Sequence, residues 1–413
     1  MTNNMHNTGI NRRTFIQSTI SAMLPYPSSA TPSEQDRSAK PFAIQVPESQ
    51  LRALVQRLDL TRWPDQIADV GWRHGTNLES LRGLVTYWRT DFDWRRQEAA
   101  LNAIPQFTAR IGDDTLHFIW LRSGVPGAAP LVLTHGWPST CFEMRRVLPL
   151  LTNPRDPRDA FDVVAPSVPG YGFSSRPATP GVESRTVAGV INALMTEVLG
   201  YSSYFAHGGD IGAGITSALA YYHPKNVRGI HLTAVRDPVL DDGSPPFTVA
   251  ERVFLEARQR WSEDEGGYSH LQRTRPQTLA YALNDSPTGL LAWMVEKFRA
   301  WSDCEGELER RFSKDDVLTI ATIYWVTETI GSSMRYYAAS RENPWTLGRG
   351  ERIRVPTAVA MFPKDLSLPP REWAERTYHV ARWTEMPRGG HFAAHEEPNL
   401  LVDDIRAAFR GLR

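Results

Sequence analysis

Residues 207–214 read HGGDIGAG. The run before them, YSSYFAH, is apolar enough for a buried strand, and the run after them, GAGITSALAYYH, is a small-residue helical pattern. A strand that becomes a helix within so few residues must turn sharply, and glycines on both sides of Asp210 supply the backbone freedom for it. The centre of Gly208-Gly209-Asp210-Ile211-Gly212 therefore stands at the carboxyl end of a strand and at the start of a helix. A strand feeding directly into a helix belongs to a parallel sheet with right-handed crossovers, so this stretch already commits the chain to an α/β architecture.

The rest of the chain repeats the alternation. PLVLTHGWP and FDVVAPSVPGYGFSS are strand runs ending in Gly/Pro breaks, SRTVAGVINALMTEVLG is helical, and NVRGIHLTAV is a further strand. The pattern predicts a first core section over 107–236, opened by FTARIGDDTLHFIWLRSG as two strands around a Gly-Asp-Asp turn. It then stops. Residues 237–354, ~115 residues and far too long for a loop, carry helical patterns such as SPTGLLAWMVEKFRAW and no convincing strand. The alternation resumes over 355–413 with IRVPTAVAMFP, HVARWTEMP and a closing helix, NLLVDDIRAAFRGL. Ligands of such sheets bind at the carboxyl ends of the strands, so helices inserted late in the sheet are expected to form a lid over Asp210. Residues 41–106 form a separate opening section. VPESQLRALVQRLDLTRW reads as one helix there, and NLESLRGLVTYWRTDFDWRRQEAAL as another whose Trp88 and Trp94 are expected to pack this arm onto the body.

Bulk properties narrow the function. Lys+Arg and Asp+Glu each number 46, so no basic footprint points to nucleic acid or an anionic membrane. No apolar run reaches the 18 residues of a spanning helix, and no membrane anchor is expected. The only cysteines, Cys141 and Cys304, are too far apart in sequence for a disulfide scaffold or metal cluster, and are expected to be buried small hydrophobes. Asn11-Arg12-Arg13-Thr14-Phe15-Ile16-Gln17 is similar to a twin-arginine export signal, with Ser28-Ser29-Ala30 as a small-residue cleavage site. The apolar stretch between them is short and interrupted, which favours a cytoplasmic chain over export. Either way residues 1–40, tail or signal, are expected to lie outside the fold. A homodimer is left open.

Strand, Gly-x-nucleophile-x-Gly turn and helix together make the nucleophile elbow of the α/β-hydrolase fold, in which nucleophile, acid and histidine follow one another along the chain. Asp365 lies just past the strand VPTAVAMF, and His391 sits on the Gly-rich loop RGGHF after the last strand, so Asp210, Asp365 and His391 satisfy both order and placement. Asp237 is a rival acid, although Asp237-Pro238 also reads as a turn. His395, Glu396 and Glu397 look like ordinary first-turn helix residues. The turn His135-Gly136-Trp137-Pro138 occupies the place of the second oxyanion donor, which makes the backbone N–H groups of Trp137 and Ile211 the pair. His135 and His207 read as structural.

An aspartate nucleophile selects the reaction. Attack on an sp³ carbon gives an alkyl ester whose carbonyl belongs to Asp210, and water activated by His391 can hydrolyse it, whereas serine would leave an ether. This argues against esterase, lipase or peptidase action, and it requires no cofactor or metal. The leaving group is then an epoxide oxygen, which needs an O–H donor, or a halide, which needs weak N–H donors. The former makes a small apolar epoxide and water the partners. The latter is haloalkane or haloacid dehalogenation. A third reading is a non-catalytic receptor using the same pocket. Tyr268, Tyr281, Tyr336 and Tyr337 are all candidate O–H donors that composition does not separate.

HGWPST, PGYGFSS, HGGDIG, GGYSHLQRTRPQTLAYALNDSPTGL, FPKDL and RGGHFAAHEEP resemble the microsomal-type epoxide hydrolases, including the juvenile-hormone epoxide hydrolases, over residues 42 to 410. GYSHLQ and ALNDSP are the most specific of these motifs. The resemblance implies Tyr268 and Tyr337 as ring-opening donors, Asp365 as the relay acid, and an N-terminal arm wrapped around core and lid. Ile211 departs from the pattern, since these relatives usually carry Trp there. That leaves a smaller pocket wall and weakens the dehalogenase reading. Trp137, Ile211 and Trp293 are the expected pocket residues, with Trp261 and Trp301 as further lid aromatics.

Overall fold

The computed structural model describes residues 38–241 and 243–413. The twin-arginine-like stretch lies outside the described residues. Nine strands form one sheet: β1 Lys40–Phe42, β2 Gln106–Ile111, β3 Asp114–Leu121, β4 Ala129–Thr134, β5 Phe161–Pro166, β6 Tyr204–Gly208, β7 Val227–Leu232, β8 Ile353–Met361 and β9 Tyr378–Glu385. Their order is β1-β2-β3-β5-β4-β6-β7-β8-β9. β1, β2, β3 and β5 pair antiparallel in that order, and every pairing from β5 through β4 to β9 is parallel. β6, which leads into Asp210, is buried along its whole length, as expected of a parallel strand covered on both faces.

The Gly-Asp-Asp turn is as the sequence predicts. Gly112 and Asp113 bridge β2 and β3 with Ile111 opposite Asp114, and Gly112 takes a positive φ of 62°. Between β7 and β8 the described residues hold six α-helices and no strand: Val249–Glu265, Gly267–Thr274, Pro276–Asp285, Pro287–Trp301, Lys314–Thr327 and Ile330–Glu342. Ser286 starts the fourth of these by accepting a hydrogen bond from Gly289 N at 3.0 Å. No described helix is long and apolar enough to cross a membrane. Cys141 and Cys304 are free and buried.

One predicted helix is two. The pattern from Asn77 to Leu101 breaks into Leu78–Thr90 and Trp94–Asn102. Asp93 causes the break, because its carboxylate accepts the Arg96 N–H at 3.1 Å and so caps a new helix rather than continuing the old one. The break turns the two tryptophans into different cores. Trp88 joins the inserted helices, its indole N–H donating to Thr322 Oγ1 at 3.0 Å, while Trp94 packs with the β4 and β5 side chains of the other sheet face. Further bonds tie the arm to the insertion, including Thr76 Oγ1 to Ala292 O at 2.7 Å.

Trp88 is only 3% exposed. Trp88→Ala should therefore cost about 3–5 kcal/mol of folding stability, from lost burial and the cavity left behind. Urea unfolding of the variant checks this. A loss no larger than that of a surface substitution would mean the arm is not clamped through this side chain.

Candidate active site

The elbow is built by close approach. Asp210 opens the helix Asp210–Tyr222 with φ at 49°, a left-handed conformation costly for a residue with a side chain. A Cβ on Gly212 would fall 2.2 Å from the Thr134 carbonyl oxygen, and one on Gly136 would fall 2.5 Å from Cβ of Asp210. Glycine at both positions lets the β4 turn close onto the carboxylate. Trp137 N then donates to Asp210 Oδ1 at 2.9 Å, and the Ile211 N–H also bonds the carboxylate. These are the two backbone donors that the sequence pairs.

The other oxygen faces histidine. His391 Nε2 lies 3.5 Å from Asp210 Oδ2, and His391 Nδ1–H donates to Asp365 Oδ1 at 2.6 Å. Burial works against the imidazolium, but the charges and hydrogen bonds of Asp365 and Asp210 outweigh it and hold the His391 pKa well above its ordinary value. Burial likewise opposes ionisation of Asp210, yet His391 and the two N–H groups bring its pKa below the usual carboxylate value. The resting pair is thus carboxylate and imidazolium. Asp237 is elsewhere, exposed and paired with Arg258. His135 Nε2 accepts the Val168 N–H at 3.1 Å, and His207 bonds His231 at 2.9 Å between ring nitrogens, so both are structural.

The inserted helices bring two tyrosines over Asp210. Tyr268 stacks on Trp137 with centroids 5.4 Å apart and 9° between planes, and Tyr337 meets both rings edge-on. Burial, then the negative charge of Asp210, raises the pKa of each phenol, so both stay protonated. The Tyr337 hydroxyl is buried with no hydrogen-bond partner among the described residues. Its neighbour Tyr336 is bonded to Ser184 Oγ at 2.7 Å, and Tyr281 is 72% exposed, which separates the four candidates. Asp210, Ile211, Tyr336, Tyr337, Arg236 and Trp345 line a cavity of about 480 Å³.

Trp293 is placed differently from expectation. It lines a second cavity of about 1070 Å³ between the arm and the helix Pro287–Trp301, away from Asp210, and its indole N–H donates to Gln272 Oε1 at 3.3 Å. Eight residues advance a helix by two turns plus ~80°, so Trp301 points nearly a quarter turn away from Trp293. Trp301 packs 5.0 Å from Tyr268 and 5.2 Å from His391, centroid to centroid, and is the aromatic wall of the site.

Glu396 is more than an ordinary first-turn residue. Its carboxylate is buried and accepts Asp303 N at 2.7 Å, Gly390 N at 3.2 Å and Phe392 N at 3.0 Å, clamping the loop that carries His391. Glu397 and His395 are buried too, Glu397 pairing with Arg311 and Arg388. Their adjacency to the Gly-Gly-His loop in RGGHFAAHEEP was the available signal. Among the described residues no His/Cys/Asp/Glu group is arranged to hold a metal ion.

Residues 39–144 match the family described as epoxide hydrolase N terminus, and residues 129–268 match the alpha/beta hydrolase fold family. Epoxide hydrolase 1 of Sus scrofa is 35% identical over 424 residues, covering 94% of this chain and 91% of its own. The crystal structure of juvenile hormone epoxide hydrolase from the silkworm Bombyx mori matches with a TM-score of 0.84 at 31% identity, over 92% of this chain and 96% of that one. The structure of Aspergillus niger epoxide hydrolase matches at 0.81 and 31%, over 91% and 97%. Fold, elbow and sequence agree: the chain belongs to the epoxide hydrolase family of α/β-hydrolase enzymes.

Proposed function

We propose that this enzyme converts an apolar epoxide to a vicinal diol through a covalent ester on Asp210. Asp210 Oδ2 attacks the less hindered or more electrophilic epoxide carbon. Tyr268 and Tyr337 hold the ring oxygen and protonate it as the C–O bond breaks. Ester formation lets His391 give up its resting proton, which restores the tyrosine; His391, oriented by Asp365, then takes a proton from water, whose oxygen attacks Cγ of the ester. The N–H groups of Trp137 and Ile211 hold the resulting oxyanion, a contribution of ~3 kcal/mol per donor. Collapse expels the diol oxygen, which takes the proton from His391, and the carboxyl formed on Asp210 passes its own proton to His391, restoring carboxylate and imidazolium. The helices between β7 and β8 act as the lid and residues 41–106 as the arm that secures it. The single observation that carries this reading is the unpartnered, buried Tyr337 hydroxyl on the Asp210 cavity, a donor awaiting an oxygen.

Diol formation from styrene oxide, a trans-disubstituted epoxide and a terpene epoxide tests it, with Asp210→Ala as the blank. Diol from the wild type alone supports the reading. Halide release from haloalkanes without diol would replace it with dehalogenation, and binding without turnover would replace it with a receptor.

The charges predict a pH signature. Ester formation neutralises Asp210 and removes one of the two anions that hold the His391 proton, so the His391 pKa falls when the ester forms. Ester hydrolysis in a single turnover should rise with pH through a midpoint lower than the one NMR finds for His391 in the free enzyme. An equal or higher midpoint would show that Asp210 does not hold the proton.

A further inference from the structure

A third, small cavity of about 20 Å³ also borders Asp210, and no tyrosine lines it. That is room for one water and little else. Ser139, Glu143, Asp210 and His391 are among the residues lining it. Glu143 belongs to the short helix Cys141–Arg146 that follows the Trp137 turn, and Thr140 caps this helix. Tyr324 OH fixes its approach by donating to Ser139 O at 2.9 Å. The neighbouring Arg145 and Arg146 point elsewhere, both pairing with Asp316. Glu143 is half-buried and lines both this cavity and the one beside it. Burial raises its carboxyl pKa to about 7, while the Ser139 hydroxyl and the positive charge of His391 pull it back. The Ser139 Oγ is buried and close enough to bias that carboxyl, yet it makes no well-aligned hydrogen bond to any described residue. A buried carboxyl and an unsatisfied hydroxyl beside the catalytic base are costly unless something polar sits between them.

We propose that Glu143, with Ser139, positions the water that hydrolyses the Asp210 ester. This rests on the covalent reading above. The water donates one hydrogen to His391 Nε2, which takes it as a proton, and donates the other as a hydrogen bond to the Glu143 carboxyl. Its oxygen is thereby aimed at Cγ of Asp210 from the face opposite the substrate. Glu143 gains and loses no proton in the step, and the proton on His391 leaves with the diol oxygen. Glu143 is a positioning residue for the second half of the reaction and has no part in the first.

The test separates the two halves. In Glu143→Gln, alkylation in a single turnover should stay within about twofold of wild type, while ester hydrolysis slows on the order of 10–100-fold, the scale of a misplaced reactant. The alkylated enzyme should then be visible by intact mass during steady-state turnover. Ser139→Ala, which removes only a hydroxyl, should slow the same step by less and provides a second reading if Glu143→Gln folds poorly. Hydrolysis at the wild-type rate in both variants, or equal slowing of both steps, overturns the proposal. His391→Gln run alongside distinguishes the failures: if it too forms no adduct, the covalent reading is what falls.

Discussion

His391→Gln should become alkylated by a reactive epoxide and then stall. The substitution keeps a polar side chain of similar reach but removes the base that takes the proton from water. Nothing in the first step requires that base, because the nucleophile is already ionised and its Oδ1 is held by Trp137. Turnover should fall ~10²–10⁴-fold, the span of a lost general base. Intact mass should show the protein plus one epoxide, and peptide mapping should place the added mass on Asp210. The binding variant with no adduct would argue against a covalent route and for direct attack of water on the ring.

The second large effect has the opposite signature. Tyr268→Phe with Tyr337→Phe should abolish alkylation itself, leaving no adduct to detect. Without a donor the epoxide oxygen must leave as an alkoxide in an enclosed site, where charge without hydrogen bonds is most costly. Removal of a single such donor costs ~10²–10³-fold, and each single Phe variant should retain the help of the remaining hydroxyl. The double loss should exceed either single loss by a further large factor, measured as the single-turnover rate of ester formation. The rings keep their contacts with Trp137, stacked for Tyr268 and edge-on for Tyr337, so ligand binding should survive. If both single variants matched the wild type, the oxygen must be held by other groups, and the cavity donors would need reassignment.

What was legible in the sequence is what local chemistry dictates. The elbow could be read because strand, glycines and helix are contiguous, and Asp365 and His391 because each follows a strand at a fixed place in the chain order. The tyrosines were legible only as a set. Choosing Tyr337 over Tyr336 depends on which of two adjacent residues finds a partner, here Ser184, 152 residues away in sequence. Trp293 and Trp301 posed the same difficulty on one helix, since composition does not say which face the sheet will meet. Asp93 ended a helix whose hydrophobic periodicity ran straight through it, because capping competed with propagation. Glu143 and Glu396 were invisible as functional groups, for their importance lies in burial beside a histidine more than 240 residues away for one and on the adjacent loop for the other.

The site is also divided between two bodies of the fold. Asp210, Asp365 and His391 stand beyond the carboxyl ends of β6, β8 and β9, whereas Tyr268 and Tyr337 ride on the inserted helices Gly267–Thr274 and Ile330–Glu342, and the arm bonds other helices of the same insertion through Trp88 and Thr76. The enzyme can therefore be disarmed without being unfolded. Heating should loosen the inserted helices before the sheet, because no strand pairing joins them to it. Half of the diol-forming activity should be gone at a temperature where far-ultraviolet dichroism still reports an intact sheet. Near that temperature, immobilising the arm would prolong the working life of the catalyst more than any strengthening of the sheet.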